Sequence, residues 1–218
     1  MQRILVLGVS ILLVVSYCSS AHARRSHSQR PIAVQFINRA QDVPGVWDET
    51  IRSEFVEAMN IVAGHVSSTW LKGRPVIVSS DIRSPWRIEV VDHSLSYAGI
   101  PAGGYHTFDG RGPRAIFSLR SNGGSLAGVF LDGSHELAEM LVDPSAARFI
   151  NGWYAEVADP VVCCHYDATL SDGAVVPLSD FVLPHWFDPR SAGPYDFDDS
   201  QYVQRPLQLG PDGFAQRE

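Results

Sequence analysis

The chain has 218 residues, of which 45% are hydrophobic and 19% charged, with 24 acidic residues against 17 basic ones and a formal net charge of −7. That length suits one domain behind a short leader, and such a domain buries a sizeable core without disulfide staples. The acidic balance argues against nucleic acid and against anionic membrane surfaces as partners.

The first residues, Met1-Gln2-Arg3, form a short basic start. An apolar run from Ile4 to Val15 follows, and then Ala21-His22-Ala23. This is the layout of a secretory signal peptide ending at residue 23. The apolar run is shorter than the roughly 20 residues that span a bilayer; a retained N-terminal anchor is the alternative. The expectation is a secreted or periplasmic protein with no membrane contact beyond its signal peptide. It has a loose N-terminus at 24–30 and one domain over 31–218 whose C-terminal part is rich in loops. Cleavage removes only Arg3 among the charged residues and moves the balance to −8.

Ile32–Ile37 is a strand candidate. In Asp48–Ala63 the apolar positions Ile51, Phe55, Met59 and Val62 recur at three and four, which predicts a helix with one buried stripe. Residues 74–79 and 86–92 are rich in β-branched side chains and predict two more strands. The Gly- and Pro-rich segment 99–113 reads as a loop carrying Gly103-Gly104-Tyr105-His106, and 114–119 as a further strand. A helix follows at about 124–143, stopped by Pro144. Residues 152–160 read as extended. In the remainder, Asp196, Asp198 and Asp199 read as a solvated tail and His185 as aromatic packing beside Trp186. Cys163 and Cys164 are adjacent. Neighbours on a strand point to opposite faces, so one buried and one exposed thiol is the expectation, with a strained vicinal or an intermolecular disulfide as the alternatives.

On a helical wheel His135, Glu139 and Asp143 form one ridge at i, i+4 and i+8. Asp132 and Glu136 fall on the same side, while Leu126, Phe130, Leu137, Met140 and Leu141 lie opposite. No Lys or Arg balances this face. Acids at i and i+4 repel by roughly 0.2–0.5 kcal/mol per pair unless something neutralises them, and a bound cation would. The plain alternative is a solvated acidic face. His-Glu with a ligand-capable residue at i+4 is the spacing of a zinc helix, in which the Glu after the His serves as general base. Here the i+4 residue is Glu139, an acceptable zinc ligand that also makes the site tolerant of calcium or manganese. Glu156 and Asp159 follow 17 and 20 residues after Glu139. Downstream acids at such distances serve gluzincins as third ligand and as the group that orients the first His. Asp143 competes with Glu156 for the third-ligand role, or caps the helix. His106 is a candidate for oxyanion stabilisation or metal binding. Ser134 lacks a nucleophile elbow and reads as helix packing.

The run Ser134-His-Glu-Leu-Ala-Glu-Met-Leu-Val-Asp-Pro144, then Gly152-Trp-Tyr-Ala-Glu-Val-Ala-Asp-Pro160, resembles a family of poorly characterised bacterial proteins with zincin-like, metallopeptidase-like domains. Gly104-Tyr105-His106 and Leu178–Phe187 fit the same family. The resemblance implies an α+β fold: a mixed sheet packed against helices, the metal helix under a cleft, and the strand 114–119 lining it. It also implies zinc bound by His135, Glu139 and Glu156 or Asp143, with Glu136 as base, Asp159 supporting, and a peptide or protein as substrate. The departure is the missing second His. The rival expectation is therefore a non-catalytic binding or structural module of the same fold, holding calcium or nothing.

Overall fold

The computed structural model describes residues 29–120 and 124–218. The signal-peptide reading of 1–23, residues 24–28 and residues 121–123 lie outside the described residues.

Strand β1 (Ile32–Asn38) alternates buried and half-buried positions and leads, through a turn closed by Val43 and Trp47, into helix α1 (Glu49–Thr69). Asp48 caps α1 by accepting from the Ile51 N–H. The predicted stripe is buried, and the helix continues six residues past Ala63 because Val66 and Ser67 extend the same buried face. Strands β2 (Val76–Ser79) and β3 (Trp86–Val91) follow, then β4 (Leu95–Tyr97), β5 (Ile100–Ala102), β6 (Gly104–Phe108) and β7 (Pro113–Ser118). Helix α2 (Leu126–Val142) comes next. After it lie the short pair β8 (Phe149–Ile150) and β9 (Trp153–Tyr154), a 3-10 turn at Asp159–Val161, and the hairpin β10 (His165–Thr169) with β11 (Val175–Ser179). Among the described residues no helix is long and apolar enough to cross a membrane.

The main sheet has the order β2-β1-β3-β7-β6. β1, β2, β3 and β7 run parallel, and β6 closes one edge antiparallel to β7. The architecture is α+β, a mixed sheet packed against two helices. Val34, Phe36, Ile88, Val90, Ala115 and Phe117 are buried core residues that alternate along their strands. Phe55 of α1 joins the layers, 5.0 Å from the Phe117 ring and 5.9 Å from that of Phe130. Elsewhere in the sheet, Glu89 is wholly buried; its Oε2 is paired with Arg39 at 2.7 Å and Arg114 at 2.9 Å, while its Oε1 has only Arg87 at 3.9 Å and no hydrogen bond. Burial pushes its carboxyl up, and the guanidiniums outweigh it and bring it below the usual range.

The loop expected at 99–113 is instead β5 and β6. An edge strand with only one ladder needs no β-branched run, and its glycines serve close approach to α2. The loop-rich C-terminal part also contains the β10–β11 hairpin, and Asp196 is fully buried rather than in a solvated tail. His185 is exposed, whereas Trp186 beside it is core. Ser134 is buried: its hydroxyl donates to the Leu131 carbonyl and accepts from the Ser179 N–H, tying α2 to β11. One of the adjacent thiols is exposed and one buried, as expected. They do not diverge, because Cys163 stands in the turn before β10.

The two helices cross where Gly133 has no side chain. A Cβ there would meet ring atoms of Phe55 at 2.5 Å. Alanine normally favours a helix interior over glycine by about 1 kcal/mol, but overpacking a rigid aromatic contact costs about 1–3 kcal/mol. Gly133→Ala should therefore lower stability by about 1–2 kcal/mol, read as a drop in thermal midpoint by circular dichroism. An unchanged or raised midpoint would show that the layers can separate freely at this crossing.

Candidate metal centre

Ser125 starts α2 by accepting from the Gly128 N–H. The helix runs beneath β6, with apolar residues and acids alike turned inward. Glu136, Glu139 and Asp143 are 6%, 4% and 0% exposed, so the ridge read on the wheel is no solvated face. Buried acids need partners, and here they find histidines. His135 Nε2 lies 3.4 Å from Glu139 Oε1 and 3.2 Å from Asp159 Oδ1. His106, in the middle of β6, places Nδ1 3.4 Å from Glu139 Oε2 and 3.5 Å from Glu156 Oε2. Glu139 thus stands between two imidazoles. Its Oε1 also accepts from the N–H groups of Ala158 and Asp159 at 3.3 Å each, which draws the 3-10 turn against the helix.

Three groups of ligand atoms lie within 4.8 Å of one another: His135–Glu139–Asp159, His106–Glu136–Glu139 and His106–Asp143–Glu156. Asp143 is also occupied as the helix cap. It accepts from the Ser145 N–H and hydroxyl through Oδ1 and from the Arg148 N–H through Oδ2. Glu136 sits under β6 because residue 104 is glycine, where a Cβ would approach Glu136 Cγ to 2.6 Å. Buried and without a hydrogen-bond partner are Glu136 Oε2, Glu156 Oε2 and His106 Nε2.

The charges of the cluster pull against its burial. Burial disfavours charged His135, but Glu139 and Asp159 raise it well above the ordinary histidine range. His106 likewise rises to about 9, because Glu139 and Glu156 outweigh desolvation. Burial and the neighbouring acids push Glu156 up to about 8 and Asp159 up to about 6, and burial also raises Glu136. Burial would raise Glu139 too, but the two histidines hold it well below the usual carboxylate range. The cluster is an anionic pocket that retains positive charge.

These groups floor a cleft of about 410 Å³. β6 lines it through Gly104, Tyr105 and His106, not the strand at 114–119 as expected. Tyr97 and Ile100 of the β4–β5 hairpin form one wall, with Tyr154 and Phe214 also at the cleft. The C-terminal segment is held there by a Phe214 N–H to Asp159 carbonyl bond, a Tyr154 N–H to Gln216 carbonyl bond and Arg217 stacked 4.7 Å over Trp153.

No family model, curated protein or solved structure matches the chain.

The structure brings His135, Glu136, Glu139, Glu156, Asp159 and His106 into one cleft. Within it, Asp159 rather than Glu156 is the carboxylate beside His135, and Glu156 meets His106. Linear spacing could not separate them, since the two acids lie three residues apart on a chain that bends back. The wall residues Tyr97, Ile100 and Phe214 carry no motif, and no signal in the sequence points to them, whereas Tyr154 falls within the run 152–160.

Proposed function

We propose that the chain is an exported, zincin-like metal-dependent hydrolase acting on peptide bonds, with its metal held by His135, Glu139 and Asp159. The observation that carries this reading is the meeting of half-buried His135 Nε2 and Asp159 Oδ1 with buried Glu139 Oε1 at the floor of an open cleft. A His-Glu helix under the cleft agrees with the layout that the resemblance implies, although β6 lines that cleft in place of the strand at 114–119. The signal-peptide reading of 1–23 would deliver the protein outside the cell or to the periplasm.

The residues present fit a metal. Three buried polar atoms at the cluster lack hydrogen-bond partners, and the anionic pocket retains a proton on His135 that a cation would displace. The imidazole nitrogen of His135 favours zinc over calcium, which prefers oxygen ligands alone, and the two carboxylates also admit manganese. When bound, zinc would supply Lewis-acid polarisation of a substrate carbonyl and a more acidic water. Glu136 is the general base: its free Oε2 takes the proton of the attacking water and returns it to the leaving amine. His106 stands across the cluster on β6, where a protonated imidazole donates toward a developing oxyanion. Glu156 holds that imidazole in place. The uncharged walls at Tyr97, Ile100 and Phe214 suit side chains of a peptide.

The ligand assignment separates Asp159 from Asp143. Asp159→Asn should weaken zinc binding by at least roughly 10–100-fold, which is the cost of losing even a group that only orients a ligand, with little change in fold. Asp143→Asn should leave zinc affinity in place and lower the thermal midpoint, because it disturbs the cap. Isothermal titration of both variants measures this, and the opposite ranking would reject Asp159 as a ligand.

A further inference from the structure

The turn that delivers Asp159 to the cluster continues directly into Cys163 and Cys164. Their sulfurs touch, 2.6 Å apart, although the two residues are neighbours in sequence. Carbon atoms, which are smaller, stay about 3.5–4.0 Å apart when not bonded. The pair is therefore held face to face by the backbone around it. The Cys164 N–H donates to the Val161 carbonyl, and the Cys164 carbonyl accepts from the Asp180 N–H. Cys163 is exposed, so an outside reagent can reach it, while Cys164 is buried behind it.

We infer that Cys163 and Cys164 are a redox-reactive vicinal pair that closes to an intramolecular disulfide on export to an oxidising compartment. The oxidant is a small-molecule or protein disulfide, RSSR. The exposed Cys163 thiolate attacks one sulfur of RSSR, forming a mixed disulfide and releasing one RSH. Cys164 Sγ then attacks Cys163 Sγ, its proton leaves with the second RSH, and the ring closes. Two thiols are oxidised and one disulfide is reduced. Adjacent Cα atoms lie about 3.8 Å apart, closer than the usual roughly 4.4–6.8 Å for bridged cysteines, so the ring is strained and readily reduced again. Burial first, and then Cys163, pushes the Cys164 thiol up to about 12, which leaves Cys163 as the attacking group.

The pair sits at a junction. Gly210 packs against Cys163, where a Cβ would stand 3.1 Å from Sγ. The Gly210 N–H donates to the Pro160 carbonyl, and the Phe214 N–H donates to the Asp159 carbonyl. Opening or closing the ring thus acts on the turn that holds Asp159 and on the C-terminal segment that reaches the cleft.

Two measurements on the full-length chain test the inference without assuming hydrolase activity. After incubation with oxidised glutathione and maleimide quenching, the peptide containing both cysteines should be lighter by two hydrogens and carry no maleimide. Cys164→Ser should stop at a persistent glutathione adduct on Cys163. After reduction, the wild-type protein should bind phenylarsine oxide one to one with loss of water, and neither single variant should. Free alkylation of both cysteines after oxidation, a covalent dimer in place of the ring, or equal arsenical binding by the single variants would overturn it.

Discussion

Glu136→Gln should reduce peptide hydrolysis by about 10²–10⁴-fold while metal content and thermal midpoint stay near their wild-type values. The amide keeps the shape of the carboxyl, so the fit under Gly104 is preserved. It cannot take up a proton, so the step that needs a base is lost. Burial already raises Glu136 toward its neutral form, and a neutral isostere there costs little stability. kcat/KM on a fluorogenic peptide, metal analysis and a melting curve on the same preparation check all three parts. A variant that keeps full activity removes Glu136 from the chemistry. If neither protein hydrolyses peptides yet both bind zinc equally, the non-catalytic module is the better reading.

Asp180→Asn should stabilise the protein at pH 8 and change it little at pH 4. Asp180 is completely buried between β11 and the C-terminal segment. Its Oδ1 accepts from the N–H groups of Phe181, Phe197 and Asp198 at 2.8, 3.2 and 3.1 Å, and its Oδ2 has no hydrogen-bond partner. Burial, then the nearby Asp196 carboxylate, pushes Asp180 up to about 7 from an ordinary 3.8. A carboxyl raised in the fold keeps its proton there after the unfolded chain has lost it. The stability it confers is full below about pH 4 and is lost as pH rises through about 7. The shift of about three units corresponds to at most about 4 kcal/mol. The asparagine amide needs acceptors of its own, which reduces the expected gain at pH 8 to about 1–3 kcal/mol. Melting curves of both proteins from pH 4 to 8 should diverge with rising pH. Parallel curves would show that Asp180 is already charged in the fold.

The contrast between these two acids shows what the sequence makes legible. Glu136 belongs to a 3.6-residue pattern, so its face of α2 is readable from the order of residues alone. Asp180 belongs to none, and only packing against Phe197 and Asp196 makes it unusual. β2 carries a β-branched run at the sheet edge although Ile77 is exposed, and β3 is readable because burial on both faces selects such a run, as in Ile88–Val91. β6 is not, since an edge strand pressed against a helix is written in glycines at 103 and 104. β10 carries a buried–exposed alternation through Tyr166 and Ala168, hidden by its polar partners His165 and Asp167. The pairings His135 with Asp159 and His106 with Glu156 depend on a 3-10 turn whose path no spacing rule supplies. The same turn defeats the expectation that Cys163 and Cys164 point apart.

Whether the His135–Glu139–Asp159 group holds a catalytic metal is tested most directly by the metal content of protein purified without chelator, followed by zinc titration of the chelator-treated protein. One zinc per chain is expected, with proton release on binding and loss of the site in His135→Ala. Absence of any transition metal, with no zinc uptake at micromolar concentration and no change in melting on adding zinc, would contradict it.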